Sequence, residues 1–448
     1  MDFVVIGGDA AGMSAASRAK RNRPDMNVIV LEKTMDVSYS ACGMPYNIAD
    51  PARDLNDLVV RQAEVFREKQ GITLLTAHHV EGIDRKGRNV RGTTDAGAYF
   101  EFSYDKLLIA TGARAVKPDL PGVDRPGVMV LKNLEEGRRI KDYIRDRKVK
   151  KAVIIGMGYI ALEMSEALVN RGIETTLVKS RPGLLPWMAQ ELSAEVKAEL
   201  EANGVGMYPG NPVKRIEETS GSGLKVVCEG LDLFCDMVIL AVGVTPNSEF
   251  SGEAGIDLGA GKAISVDKRL MTSDPHIYAA GDCADAIHVV TGKKAWIPLA
   301  LRANRAGWAV ADNVCGKNVE LEGIAGTAVF KVFDLEVAKT GLNAGEAAAA
   351  GFEPVSAVVS TRSRAHGHPG NTTLHLCMVG DKKSGRLLGL QMVGKEGAAH
   401  RINAAAVALH AKMRVEKFAQ SDLAYAPPFG PVWDPMLTAA NQLQKDLE

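Results

Sequence analysis

The chain has 448 residues, with 54 Lys and Arg balanced by 54 Asp and Glu, so its formal net charge is zero. That length allows two or three domains, each able to bury its own core. The charge balance excludes the basic excess a nucleic-acid or membrane-surface partner would want, and no run of about 18 uncharged apolar residues suggests a membrane span.

The first residues, Met1-Asp2-Phe3-Val4-Val5-Ile6-Gly7, run straight into a buried strand and are not expected to be a signal peptide. Phe3–Ile6 reads as a strand, Met13–Arg21 as a helix and Asn27–Leu31 as a second strand: a βαβ unit. The turn between them, Gly7-Gly8-Asp9-Ala10-Ala11-Gly12, is a dinucleotide fingerprint with one departure. Its first and third glycines suit the tight turn and the close helix–strand packing, but Asp9 stands where glycine normally lets backbone approach a pyrophosphate. A carboxylate there must turn away from phosphate or be neutralised. Glu32, at the end of the second strand, restores the pattern, because it can accept hydrogen bonds from ribose hydroxyls.

Next comes Ser38-Tyr39-Ser40-Ala41-Cys42-Gly43-Met44-Pro45-Tyr46, with a lone cysteine. One thiol holds only half of an incoming disulfide, so its redox partner must be of another kind, most simply a flavin. Gly43-Met44-Pro45 suggests a helix start, where backbone N–H groups favour a thiolate. The other cysteines, 228, 235, 283, 315 and 377, lack CxxC spacing and read as structural, so neither a disulfide framework nor a metal site is expected. A reducing, cytoplasmic location follows as the default.

Tyr104–Gly112 and Asp236–Gly243 are twin apolar strands, each closing on a small residue and glycine. A charged helix over Asn133–Arg147 leads to a second βαβ unit, with a strand over Ala152–Ile155, the turn Gly156-x-Gly158-x-x-Ala161, a helix over Leu162–Arg171 and a strand over Thr175–Val178. No acidic residue ends that strand. Lys179 and Arg181 do, which suits a 2′-phosphate and favours NADPH alongside or above NADH. Ile277–Ala279 is a short strand ending in Gly281-Asp282, followed by helix-prone Ala284-Asp285; an Asp there can accept from ribityl hydroxyls. From Gly326 the character changes to strands at Ala328–Phe333, Val355–Ser360, Thr373–Val379 and Leu387–Val393, then an Ala-rich helix over Ala398–Met413. The expected fold is therefore α/β, with two Rossmann-like nucleotide-binding domains and a C-terminal α+β domain.

These motifs in this order, with Ala110-Thr111-Gly112 and Ala241-Val242-Gly243-Val244-Thr245-Pro246-Asn247, resemble the FAD-dependent pyridine nucleotide–disulfide oxidoreductases over essentially the whole chain. Cys42 in its Ser-Tyr-x-x-Cys-Gly-x-Pro-Tyr setting, and Ala424-Tyr425-Ala426-Pro427-Pro428-Phe429, resemble the single-cysteine branch: coenzyme A-disulfide reductases, persulfide or polysulfide reductases, and NADH oxidases and peroxidases. The resemblance implies an FAD-binding domain at 1–115 and 245–322, an NAD(P)H-binding domain at 116–244 and a dimerisation domain at 323–448. It implies a homodimer whose active sites are completed across the interface. In the implied cycle NAD(P)H reduces the flavin, which passes electrons to a mixed disulfide on Cys42.

Carried over by position, the FAD-facing residues are Gly7, Ala10, Ala11, Gly12, Glu32, Lys33, Val80, Ala110, Thr111, Gly112, Gly281, Asp282, Pro298, Leu299, Ala300 and Phe429. Those facing NAD(P)H are Gly156, Gly158, Tyr159, Ile160, Lys179, Arg181 and Gly243, with Glu163 placed to orient the nicotinamide. Tyr425 matches the tyrosine that lies over the partner's active site; the tail carries no His to serve as an acid. Ser14, Arg18, Arg21, Ser38, Tyr39 and Lys69 match or approximate the positions that face a coenzyme A half. Ala10 replaces the fingerprint His of the oxidases and peroxidases, which points away from oxygen chemistry. Trp433 replaces a Lys, Asn304 a His, and Gly367 and His368 a pair of tyrosines found in coenzyme A-disulfide reductases. These replacements cut against coenzyme A disulfide and lead to the expectation of a smaller or more open pocket, which would fit persulfides, polysulfide or a coenzyme A persulfide. The chain ends at Glu448 without room for the rhodanese domain some relatives carry. A redox-sensing flavoprotein is the alternative from another class.

Overall fold

The structure is a computed structural model that describes residues 1–219, 221 and 223–447. Three five-stranded sheets organise it. The first is wholly parallel, in the order Ile277–Ala279, Lys106–Ile109, Asp2–Ile6, Asn27–Leu31, Thr73–Leu75. The second is parallel too: Gly206–Pro209, Glu174–Lys179, Lys151–Ile155, Met237–Leu240, Val128–Val130. Strands such as Asp2–Ile6 and Lys151–Ile155 are buried along nearly their whole length, as helices on both faces demand.

Both sheets place a helix directly after their central strand, Ala10–Asn22 in the first and Tyr159–Asn170 in the second. The turn glycines make this possible in the same way. Gly7 has φ of +109° and a Cβ on it would lie 2.2 Å from the Ala110 carbonyl oxygen; Gly156 has φ of +131° and a Cβ would lie 2.2 Å from that of Ala241. Only glycine fits either crossing. The twin closing strands are thus explained: each brings a carbonyl against a fingerprint glycine.

The chain leaves the first sheet through Ala113–Ala115 and returns through Val244–Pro246, and these two crossings pair antiparallel. Thr111 and Asn247 fasten the same place, with the Asn247 amide donating to the Thr111 carbonyl (2.9 Å) and the Thr111 hydroxyl donating to that of Asn247 (2.6 Å). The third sheet is antiparallel: Ala328–Val332, Leu335–Gly341, Leu387–Gly394, Thr373–Asp381, Pro354–Arg362. Helices Ala398–His410 and Pro435–Leu447 pack on it, and helix Gln190–Ala202 of the second domain also touches it.

Two sequence expectations change. Ala284-Asp285 is not helical: Ala284 bridges to Ile264, and the Asp285 carboxylate accepts the Val266 N–H and pairs with Lys294. Neighbouring strands capture that segment before a helix can start, and the next helix is Ala300–Val314. The Ala-rich helix ends at His410, earlier than its composition suggests, because Lys412 takes φ of +52° and turns the chain back. Among the described residues no helix is long and apolar enough to cross a membrane.

Candidate active site

Helix starts differ in how they are closed. Leu134–Arg147 and Ala344–Ala350 each close with a full capping box, Asn133 with Glu136 and Asn343 with Glu346. Ala10–Asn22, Tyr159–Asn170 and Ala300–Val314 begin with no side-chain cap, as do Gln190–Ala202 and Ala398–His410, but the first two follow the fingerprint turns. Uncapped starts that follow glycine turns leave their first-turn N–H groups without a side-chain partner, the arrangement that receives pyrophosphate. Gly158, which opens the second of them, would have nothing within 4 Å of an added Cβ.

At the first of these sites Asp9 occupies the cap position but does not cap. Its Oδ1 instead accepts the Tyr39 N–H at 3.3 Å, so the carboxylate ties the fingerprint to the segment that carries Cys42. Burial, with Glu32 nearby, pushes its pKa up to about 6 despite the Tyr39 hydrogen bond. Glu32 sits where its sequence position suggests: Oε2 accepts the Gly8 N–H at 2.7 Å and Oε1 accepts from Thr34, leaving lone pairs for hydroxyl donors. Lys33 is exposed beside it and Val80 is buried. Gly281 lies against Ala11 and Ala303, bringing Asp282 and the start of helix Ala300–Val314 to the same opening, with Pro298 and Leu299 leading in. Asp282 pairs with Lys132, Nζ to Oδ2 3.0 Å. Burial alone would lower the Lys132 pKa, but Asp282, Asp9 and Cys42 together hold it above its usual value.

Cys42 is exposed, in a short turn of helix, Ala41–Gly43, that runs into helix Met44–Ala49. The expected helix start is there, yet the thiol is not eased toward thiolate. Burial pushes its pKa up, Glu163 and Asp282 add to the rise, and Lys132 opposes them. A short helix with proline near its start offers few N–H groups, so burial and the nearby carboxylates prevail. Glu163 reaches this cluster from helix Tyr159–Asn170, where its Oε1 accepts the Tyr46 hydroxyl at 2.8 Å. Tyr159 is exposed at the same helix start, with its ring 5.9 Å from that of Phe330.

At the second opening Lys179 folds back to donate to the Gly183 carbonyl at 3.1 Å, and Arg181 is exposed. Ile160 is half-buried and Gly243 takes φ of +125° at the facing strand end; Gly112, its twin in the first sheet, takes φ of +67°.

The substrate-side positions divide. The Ser14 hydroxyl donates to Asn304 at 2.7 Å, so two positions singled out separately in sequence belong to one contact between helices Ala10–Asn22 and Ala300–Val314. Arg18 is already paired: its Nε and Nη2 donate to the two oxygens of Asp312 (2.9 and 2.6 Å) and its guanidinium stacks on Trp308 at 5.1 Å. Helical spacing places Arg18 toward that opening, but it does not reveal the carboxylate on the neighbouring helix. Arg21 and Lys69 remain exposed, Ser38 takes φ of +49°, and Tyr39 bridges to Val59. In the tail, Arg401 holds the backbone by donating to the Phe429 carbonyl (2.6 Å) and to Asp434 (2.8 Å). Yet Tyr425, Phe429, Val432 and Trp433 are 48%, 78%, 67% and 62% exposed. A pinned backbone presenting apolar side chains outward is a surface shaped for another protein.

Sequence reasoning missed Lys132 and Tyr46. The first had a signal, since it immediately precedes a capping box and so ends a strand at the site; the second stands four residues beyond Cys42, about one helical turn.

Two parallel sheets with open helix starts, meeting over a lone thiol, define an oxidoreductase with two nucleotide sites. The sequence pattern of the pyridine nucleotide-disulphide oxidoreductases matches residues 1–307, and that of their dimerisation domain matches residues 327–436. The chain belongs to that family. A Pyrococcus furiosus protein named NAD(P)H sulfur oxidoreductase (CoA-dependent) is 38% identical over 442 residues, 98% of each chain. The Staphylococcus aureus coenzyme A disulfide reductase is 31% identical over 432 residues, 95% of this chain and 96% of its own. The solved NAD-dependent persulfide reductase of A. fulgidus superposes with a TM-score of 0.96 at 35% identity, covering 100% of this chain and 83% of that one.

Proposed function

We propose that the chain is an FAD-dependent NAD(P)H oxidoreductase that reduces a low-molecular-weight disulfide or persulfide through a mixed disulfide on Cys42. One observation carries this reading: the exposed Cys42 thiol stands where the Asp9–Glu32–Asp282 opening and the helix bearing Glu163 converge. In this reading residues 1–115 with 245–322 hold FAD and residues 116–244 hold the nicotinamide nucleotide. FAD bound there supplies two-electron transfer between nicotinamide and sulfur.

The chain's own groups do the rest. Glu32 and the uncapped start of helix Ala10–Asn22 fit ribose and pyrophosphate. Asp282 fits the ribityl hydroxyls, with Lys132 charge-balancing it. Cys42 Sγ, once deprotonated, attacks the near sulfur of the substrate; the S–S bond breaks, one half stays on Cys42 and the other leaves as thiolate. An electron pair delivered to the mixed disulfide then frees the second thiol. No histidine stands in the tail, so the leaving group departs unaided or takes its proton from water. Arg21, Lys69 and Ser38 are the groups most readily available to meet a coenzyme A half, since Asp312 engages Arg18 and Asn304 engages Ser14. Tyr425 and Phe429 from a second copy would close the site across a homodimer interface. Lys179 and Arg181 favour NADPH, and the six unpaired thiols suit a cytoplasmic protein.

The test compares NADPH consumption by wild type and Cys42→Ser with coenzyme A disulfide, coenzyme A persulfide, polysulfide and oxygen. Activity should be highest with one of the sulfur substrates and vanish in Cys42→Ser; wild-type sulfur turnover in that variant would end the reading. Lys179→Glu should weaken use of NADPH and spare that of NADH.

A further inference from the structure

Helix Tyr159–Asn170 is fastened to its surroundings at three successive positions on one face. Tyr159 packs its ring on Phe330 at 5.9 Å. Glu163 Oε1 accepts the Tyr46 hydroxyl at 2.8 Å. Glu166, almost fully buried, pairs with Lys331 and accepts the Phe333 N–H at 2.8 Å. The outer two fastenings join the helix to the third domain. The middle one joins it to Met44–Ala49, the helix that continues the Cys42 turn.

The Tyr46 hydroxyl therefore stands where three domains touch, with the Lys331 backbone N–H facing it as well. It engages only one oxygen of the carboxylate; Oε2 of Glu163 takes no hydrogen bond from any described residue. A carboxylate held by one oxygen, with the other free at the open start of the helix, suits an amide N–H donor.

We propose that Tyr46 is a positioning residue that fixes Glu163 so that Oε2 receives the carboxamide of a bound nicotinamide, and that locks this placement to the Cys42 turn. The proposal rests on the reading of residues 116–244 as the nicotinamide site. Without the hydroxyl, Glu163 is free to rotate, because no other described residue hydrogen-bonds its carboxylate. The nucleotide still binds through its phosphates at the helix start, but its ring loses register with the thiol side of the site.

The experiment mixes the FAD-loaded enzyme, without oxygen, with rising NADPH and follows loss of flavin colour in wild type and Tyr46→Phe, which keeps the ring and its packing. The limiting rate should fall about tenfold, the scale of one charge-assisted hydrogen bond spent on orientation, while the concentration giving half that rate stays nearly constant. Amide exchange over residues 44–49 and 159–170, measured with no nicotinamide nucleotide present, should quicken in the variant. An unchanged limiting rate, or a weaker affinity with the rate intact, overturns the positioning role. A wild-type flavin that neither NADPH nor NADH bleaches overturns instead the underlying nicotinamide assignment, and the proposal with it.

Discussion

Asp9 places a carboxylate where a phosphate-binding turn has most use for bare backbone, and its surroundings make that tolerable. Oδ1 turns to the Tyr39 N–H, and the carboxyl titrates near 6, well above its ordinary range. Because the folded pKa lies above the unfolded one, the native chain binds the extra proton, so this group lowers stability as pH rises through that window. Asp9→Asn keeps the acceptor without the charge. The flavin-free variant should match wild type near pH 4 and exceed it near pH 8 by at most about 3 kcal/mol, two pKa units' worth. Urea unfolding at the two values decides it; a difference that does not change with pH would remove the titration argument. Cys42 shows the same logic with the opposite demand. Burial first and its carboxylate neighbours second hold the thiol up, and Lys132 is the local cation that opposes them.

At the scale of elements, the fingerprints behave as two copies of one device with separable parts. Gly156 carries the strand crossing, while Gly158 faces open space with φ of −86°. Gly158→Ala should therefore leave the melting temperature within about 1 °C, as a surface substitution does, yet raise the KM for NADPH severalfold by filling phosphate room. Gly156→Ala should fail to give soluble protein, because the added Cβ meets backbone. A soluble, active Gly156→Ala would show the crossing to be more pliant than its geometry implies. Both devices were readable in sequence, because turn, helix and parallel strand follow each other within about 30 residues and leave a local pattern. The strand Leu335–Gly341 was not read, although it lies second in the third sheet; nor were the antiparallel pieces His78–Ser103 and Val213–Cys235. Their strands carry many polar and charged residues, and pairing supplies what local preference lacks. The pairing of Arg18 with Asp312 and the contact of Tyr46 with Glu163 span 294 and 117 positions, distances over which no motif reports.

For the whole molecule, the pinned tail and its outward apolar side chains fall in and beside the segment that matches the family's dimerisation domain. Phe429→Ala together with Trp433→Ala should weaken self-association at least tenfold in sedimentation, since anchors of this kind each contribute on the order of 2 kcal/mol at an interface. If Tyr425 and Phe429 complete the neighbouring site, turnover should fall with the dimer population; full activity in a monomer would separate the two. The uncapped starts of helices Ala10–Asn22, Tyr159–Asn170 and Ala300–Val314 have a consequence beyond recognition. A helix that lacks its own cap forgoes about 1 kcal/mol, which a nucleotide bound at these starts would restore. Saturation to a hundred times Kd returns about 2.7 kcal/mol per site to the native state. A newly made chain short of cofactor is thus the loosest form of this protein and the one a protease meets first, so its cellular lifetime should follow the supply of its nucleotides.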